Sequence, residues 1–105
     1  MVSPFLSTAE PVSVAMPYLI VEYDHDPPIT DDALVSASEA LLPCLEVRGV
    51  RKLRSWVSND RRRGVCEYHA ADAEAVREAY RSAGVRFLRV WNATLFEPGE
   101  FPDAG

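Results

Sequence analysis

VCEYHAADAEAVREAYRSAGV, residues 65–85, contains the end of one structural element and the whole of the next. Its first residues alternate in character, which predicts a strand over 64–70. After Asp72, apolar residues recur at helical spacing, which predicts a helix. Asp72 is a good N-cap, and Gly84 suits the position that follows a helix. The stretch therefore predicts a strand that leads directly into an amphipathic helix, with a buried face made of Ala73, Val76, Tyr80 and Ala83.

A hairpin is predicted immediately before this helix. VRKLRSWVS, residues 50–58, is a second candidate strand, and the segment from Asn59 to Arg63 separates it from the strand over 64–70. Asn, Asp and Gly at this junction favour a turn. The basic run at 61–63 is therefore expected to be a solvated part of that turn rather than a phosphate-binding site.

The N-terminal half predicts one strand and one helix. PYLIVEYD, residues 17–24, is rich in β-branched and aromatic residues, as strands are. Thr30 is a good N-cap, with two aspartates directly after it. The predicted helix has its apolar face at Leu34, Ala37, Leu41 and Leu45. Pro43 removes a backbone donor, so this helix is expected to end near Leu42 or to kink there.

The complete order of elements indicates the fold class. RFLRVWNATLF, residues 86–96, predicts a final strand, which gives the order βαββαβ. This is the split βαβ pattern of a ferredoxin-like α+β domain with a four-stranded antiparallel sheet. The domain is predicted over 17–97, between a flexible extension at 1–16 and a flexible tail at 98–105. No internal repeat is apparent.

Composition and charge exclude several classes of protein. The formal net charge of −5 argues against a nucleic-acid partner, because such binding needs a cationic surface. No apolar run approaches the roughly 18 residues of a membrane span, so no membrane partner is expected. The two cysteines lack the spacing of a zinc site or a disulfide framework. The apolar N-terminus has no basic residue before it, and a cytoplasmic location is expected.

The two-residue period of strands sorts the side chains between the two faces of the sheet. One set is apolar and suits contact with the helices: Leu19, Val21, Leu53, Val57, Cys66, Tyr68, Leu88 and Val90. The other set mixes charges with aromatic rings: Tyr18, Ile20, Glu22, Arg54, Trp56, Val65, Glu67, His69, Arg89 and Trp91. Two tryptophans are unusual on a solvated face. We therefore expect two such sheets to pair as a homodimer, a dimeric α+β barrel, with a cavity between them.

Carboxylates and imidazoles on this second face suggest a metal site. In the expected strand order the first and third strands are neighbours, which brings Glu22 towards Glu67 and His69. Asp24 and His25, in the following loop, lie within plausible reach. A mixed nitrogen and oxygen ligand set suits nickel, zinc, iron or manganese. The leading hypothesis is therefore a small dimeric barrel that binds a divalent metal or a small ligand.

Two alternatives remain open from the residues alone. Dimeric α+β barrels also include cofactor-independent monooxygenases and cyclases that act on aromatic polyketides, by analogy of fold. In that case His69 would be a general base tuned by Glu67, and a small molecule would contact the remaining face residues: Trp56, Trp91, Arg54 and Tyr18. In the third hypothesis the face is a dimer interface and nothing more.

Three stretches resemble a known family of small domains. MPYLIVEYD (16–24), VRKLRSWVS (50–58) and VCEYHAADAEAVREAYRSAG (65–84) are similar to a family that includes nickel-responsive, nickel-binding proteins. The resemblance covers about residues 16–97. It implies a ferredoxin-like fold, pairing into a dimeric α+β barrel, and divalent metal binding. The positions that match the family pattern are Glu22, Cys66, Tyr68, Asp72 and Arg77.

Three positions depart from the family pattern. His69 stands where the family has glutamate, Ala71 stands where it has proline, and Glu67 stands where an apolar residue is common. Two of these three residues belong to the candidate metal site. These departures alter the face on which an inherited metal site would lie.

Overall fold

The computed structural model describes residues 17–100 and has the six predicted elements in the predicted order. They are β1 (Tyr18–Asp24), α1 (Asp31–Glu46), β2 (Arg51–Val57), β3 (Arg63–His69), α2 (Ala73–Ala83) and β4 (Arg89–Ala93). The strands form one antiparallel sheet in the order β2-β3-β1-β4. The ferredoxin-like α+β fold is thus confirmed. The predicted extension at 1–16 and the last five residues of the predicted tail lie outside the described residues.

Both helices begin at the predicted caps. Thr30 accepts a hydrogen bond from the backbone N–H of Ala33 at 3.1 Å, and Asp72 accepts one from Ala75 at 2.8 Å. Each cap therefore satisfies a donor that the first turn would leave unpaired. At the end of α2, Gly84 has φ +72°, a left-handed conformation that a side chain would strain.

Of the two outcomes expected at Pro43, an end near Leu42 or a kink there, the first is wrong, because the helix continues through Pro43 to Glu46. Proline removes one backbone hydrogen bond, but the following turn forms, with Val47 N–H donating to Pro43 O at 3.2 Å. Leu45 is buried two residues beyond the proline. Burial of such a side chain contributes roughly 1.5–3 kcal/mol, which is comparable to the cost of about 3 kcal/mol for proline in a helix interior.

The core lies between the sheet and the two helices, and most of the predicted helix-facing set is buried there. Leu19, Val21 and Tyr68 are fully buried, and Cys66 and Val90 nearly so. The helices contribute a smaller group of buried side chains: Leu41, Leu45, Val76, Ala79 and Tyr80. The two-residue period therefore assigned the faces of β1 and β3 correctly.

The last strand is shorter than predicted, with bounds Arg89–Ala93 instead of 86–96. Its pairing register explains where it ends. Ala93 lies opposite Tyr18, the first residue of β1, so later residues have no strand to pair with. Residues 84–88 connect α2 to the strand, and the Leu88 N–H already donates to Glu22 O on β1 at 2.8 Å. Leu88 was predicted to face the helices, but its side chain is 46% exposed.

The edge strand β2 contains an irregularity that a simple alternation does not anticipate. Lys52 pairs with Tyr68 and Arg54 pairs with Glu67, so Leu53 is the extra residue of a β-bulge. The bulge shifts the alternation by one residue. Lys52 therefore has a register partner on the helix side of the sheet, and Leu53 is only half-buried.

Within residues 17–100, neither helix has the length and apolar character that crossing a membrane would require.

Candidate functional site

The sheet face opposite the helices, called the open face below, carries the candidate site. The register arranges its residues in rows across the strands. One row consists of Trp91, Ile20, Glu67 and Arg54, and the next consists of Arg89, Glu22, Val65 and Trp56. Tyr18 and His69 lie in a third row, at the start of β1 and the end of β3.

Glu67 is the most fully bonded residue of the open face. Its carboxylate accepts hydrogen bonds from Arg54 Nε at 2.6 Å, from Trp56 Nε1 at 2.8 Å and from the Tyr18 hydroxyl. Two of the three donors come from the edge strand β2, and the third comes from β1. The side chain of Glu67 is 14% exposed, so this carboxylate depends on its protein partners rather than on water.

These donors stabilise the charged form of the Glu67 carboxylate. Burial alone would raise its pKa, but the hydrogen bonds from Tyr18, Trp56 and Arg54 together outweigh burial and hold the pKa below its usual value. The same contact acts in the opposite direction on Tyr18, whose pKa is raised by burial and by the neighbouring carboxylate. Near neutral pH the pair is therefore a charged carboxylate and a neutral phenol.

Glu22 has a matching set of partners in the other half of the open face. It accepts hydrogen bonds from Arg89 at 2.9 Å and from Trp91 Nε1 at 2.6 Å. Each glutamate on a central strand thus takes one guanidinium and one indole N–H from an Arg-x-Trp sequence on the adjacent edge strand. Arg89 was not among the predicted site residues. The repeated spacing of Arg54 and Trp56, and of Arg89 and Trp91, is the signal that could have identified it.

His69 has an unusual environment for a histidine at the end of a strand. Its ring lies 5.6 Å from the ring of Tyr18, centroid to centroid. Its Nδ1 atom is buried and has no hydrogen-bond partner among the described residues. A buried polar atom without a partner is uncommon in proteins and calls for a specific explanation, such as a bound water or ion.

The structure does not bring Glu22 and His69 together within one chain. Glu22 lies opposite Val65, which is four residues from His69 along β3. Four residues of an extended strand span roughly 13 Å. Glu67 and His69 alternate on one face of β3 and are separated by roughly 7 Å of strand, so this is the closer pair.

Asp24 and His25 lie away from the other candidate ligands. Asp24 pairs with Arg86 at 2.7 Å at the far end of β1. The His25 ring contacts Tyr23 with a centroid distance of 5.2 Å, and it lines a cavity on the helix side of the sheet. The two-residue period of the strand could have indicated that His25 lies on the helix side, because it is two positions after the buried Tyr23.

The described residues of a single chain do not make a complete metal site. Within residues 17–100 there is no group of three or more His, Cys, Asp or Glu side chains arranged to hold an ion. Glu67 and His69 could supply one carboxylate oxygen and one imidazole nitrogen, and further ligands would have to come from elsewhere.

The enzyme hypothesis needs Glu67 to tune His69, and the observed contacts do not provide this. Glu67 is bonded to Tyr18, Arg54 and Trp56, whereas His69 Nδ1 has no partner in the described part of the chain. Trp56 and Trp91, which this hypothesis expects to contact a small molecule, donate their indole N–H groups to Glu67 and Glu22.

The fold and this face define a small ferredoxin-like α+β domain with one helix-covered and one open side. Residues 18–92 match the family described as nickel responsive protein SCO4226-like, and the chain belongs to that family. The resemblance seen in the sequence is thereby confirmed.

One solved structure supports the same fold assignment. The crystal structure of SCO4226 from Streptomyces coelicolor A3(2) aligns with a TM-score of 0.69 and 21% sequence identity. The alignment covers 76% of this chain and 99% of that one. A comparison with curated proteins finds no match.

Proposed function

We propose that this protein forms a homodimer through its open face and binds a divalent metal ion, nickel foremost, with His69 as a ligand. The observation that carries the proposal is the buried Nδ1 atom of His69, which has no hydrogen-bond partner among residues 17–100. Imidazole nitrogens ligate borderline metals such as nickel and zinc, and Nδ1 has no hydrogen bond to these residues that metal binding would break.

The exposure of the tryptophans supports the dimer. In the single chain Trp56 is 60% exposed and Trp91 is 44% exposed, although both indole N–H groups are already bonded. Their remaining surface is apolar, and covering it with a second copy removes that area from water. The two tryptophans lie on the two edge strands, so they mark both margins of the open face.

The carboxylates support binding of a cation between two such faces. Glu67 stays charged near neutral pH because its hydrogen bonds lower its pKa. Its Oε2 atom accepts only the Trp56 bond among the described residues, which leaves one lone pair for a metal. Because residues 17–100 of one copy hold no group of three convergent ligands, the proposed site is completed by the second copy.

The choice of nickel rests on ligand chemistry together with the family. Imidazole and carboxylate ligands suit nickel, zinc, iron and manganese alike. Nickel is placed first because the matched family is described as nickel responsive. This chain departs from the family pattern at Glu67 and His69, so the proposed set of ligands is particular to this chain.

Isothermal titration calorimetry with nickel and with zinc tests the proposal. The comparison uses wild type, His69→Gln and His25→Gln at pH 5.5 and pH 7.5. We expect binding at pH 7.5 to weaken at least tenfold in His69→Gln, and wild-type binding to weaken at pH 5.5, because protons compete for the imidazole.

The chain has two histidines, so His25→Gln is a matched control that should bind as wild type does. Equal nickel affinity of His69→Gln and wild type at pH 7.5 would remove His69 from the site. A monomer at micromolar concentration in sedimentation velocity would contradict the dimer.

A further inference from the structure

A cavity of about 100 Å³ lies on the helix side of the sheet, away from the open face. Tyr23 and Cys66, on the two central strands, line the cavity on the sheet side, and residues of α1 line it on the opposite side. It is distinct from the proposed metal site, because the sheet separates the two.

The cavity exists because only one end of α1 packs closely on the sheet. Leu41 and Leu45, in the second half of the helix, are buried. Ala37 and Leu34, one and two turns before Leu41 on the same side, are only half-buried. Small side chains at Ala37 and Ser38 leave the space below the helix open.

The lining combines an apolar interior with basic residues. Leu34, Leu41 and Val85 contribute hydrocarbon surface. Tyr23 contributes a neutral phenol, because burial raises its pKa to about 12. In a chain with a net charge of −5, no Asp or Glu is among the described residues that line the cavity, whereas Lys52 and Arg86 are.

The two cations differ in what they already bind. Arg86 is bonded to the Asp24 carboxylate at 2.7 Å and to its backbone carbonyl at 2.8 Å. Lys52 forms no ion pair or side-chain hydrogen bond with any residue in 17–100. Because of the β-bulge at Leu53, Lys52 lies opposite Tyr68, whose side chain is on the helix side of the sheet. Lys52 thereby lines the cavity. An unpaired ammonium group beside an apolar cavity favours an anionic amphiphile.

We propose that this cavity binds a small aliphatic carboxylic acid, with the hydrocarbon chain inside and the carboxylate paired with Lys52. The size of the cavity limits the ligand. An apolar cavity of about 150 Å³ holds benzene, so about 100 Å³ accommodates roughly four carbon atoms beyond the carboxyl group. Pentanoate has a chain of this length.

Titrations followed by NMR test the proposal with the series propionate, butyrate, pentanoate, hexanoate and heptanoate. We expect affinity to rise about fourfold for each methylene up to pentanoate and then to level off, because further carbon atoms have no room. Chemical shifts should change at Leu41 and Val85 and stay constant at Trp56 and Trp91. Shifts confined to the open face, or affinity that keeps rising to heptanoate, would overturn the proposal.

Three variants separate the cavity from its rim. Ala37→Leu fills the cavity and should weaken pentanoate binding more than tenfold. Ser38→Leu serves the same purpose if the first variant does not fold. Lys52→Gln should weaken pentanoate binding about two- to fivefold and leave binding of pentanol unchanged, as expected for a partly exposed ion pair.

Arg51→Gln is the matched control for charge. Arg51 precedes Lys52 but lies opposite His69 in the register, so its loss should leave pentanoate binding unchanged. Unchanged affinity in the cavity-filling variant, or the absence of saturable binding to wild type, would show that the cavity takes no such ligand. Nickel affinity, measured in parallel, should be the same for Ala37→Leu and wild type, which keeps this test independent of the metal proposal.

Discussion

Glu22 and Glu67 occupy equivalent positions in the two halves of the sheet. Each is the fifth residue of a central strand, and each is followed by a tyrosine that points to the helix side. Each accepts one arginine and one tryptophan hydrogen bond from the neighbouring edge strand. An approximate two-fold axis between the paired residues Val21 and Cys66 relates the two arrangements. The two halves of the sheet are therefore related by an approximate symmetry, whose sequence signal is the Arg-x-Trp spacing on each edge strand.

This arrangement makes the stability of the fold depend on the charge of Glu67. Its pKa is held below the usual value, which is about 4.3 for glutamate in peptides. The stability that the Glu67 carboxylate contributes is therefore fully present above the pKa of glutamate in the unfolded chain. This stability is lost as the pH falls through the lower pKa of Glu67 in the folded protein. We expect Glu67→Gln to lower the free energy of unfolding by about 1 kcal/mol at pH 7.

Urea unfolding from pH 7 to pH 3 measures this dependence. The difference between wild type and Glu67→Gln should shrink as the pH is lowered, since both side chains are then uncharged. Glu39→Gln is a suitable control, because Glu39 is exposed on α1 and forms no ion pair with residues 17–100. A difference that stays constant over the whole pH range would show that the charge of Glu67 contributes nothing.

A second prediction concerns the role of Trp56 in association. If the open faces pair, Trp56 lies in the interface, where truncation of a central tryptophan typically costs about 2 kcal/mol or more. We expect Trp56→Ala to weaken dimerisation at least tenfold in sedimentation equilibrium. Leu42→Ala removes a smaller but similarly exposed apolar side chain from α1 and should leave the association constant unchanged. The same effect from both variants would place the interface elsewhere.

The fold could be predicted from the sequence because its main signals are local. Alternation, helical spacing and the caps at Thr30 and Asp72 each depend on residues close together in the chain. The errors arose where a distant segment decides the outcome. The end of β4 is set by its pairing with Tyr18, and the continuation of α1 depends on burial of Leu45 against the sheet.

The candidate site could be predicted only in part, for the same reason. The two-residue period of strands placed Glu22, Glu67 and His69 on one face. The expected strand order made β1 and β3 neighbours. The register between these strands is not encoded locally, because α1 and β2 separate them in the chain. That register places Glu22 opposite Val65 and so far from His69. The two-residue period also could not show that the tryptophan N–H groups point to the glutamates.

A third prediction concerns the proline inside α1. Pro43 is exposed and prevents one backbone hydrogen bond within the helix. Pro43→Ala would restore that bond, although alanine also gives the unfolded chain more freedom. We expect the free energy of unfolding to rise by about 1–2 kcal/mol, measured by urea unfolding. Pro28→Ala, in the loop before α1, is the control and should give no such gain. A loss of stability in Pro43→Ala would mean that the proline favours the observed helix.

The last prediction concerns two tyrosines that join α2 to the sheet. Tyr68 on β3 and Tyr80 on α2 are both buried, and their hydroxyl oxygens lie 2.7 Å apart in a hydrogen bond. Burial raises the pKa of both groups, so both remain neutral over the ordinary pH range. Tyr80→Phe should lower the free energy of unfolding by about 1–2 kcal/mol, because it leaves the Tyr68 hydroxyl buried without this partner.

The double variant distinguishes a pairwise bond from two independent effects. Once one hydroxyl is gone, removing the other loses no further hydrogen bond between the two residues. We therefore expect Tyr68→Phe with Tyr80→Phe to cost less than the sum of the single changes, by about 0.5–1 kcal/mol. Urea unfolding of wild type, the two single variants and the double variant gives this coupling energy directly. Strict additivity would mean that each hydroxyl is stabilised by other neighbours, and that the 2.7 Å contact contributes nothing to the packing of α2 on the sheet.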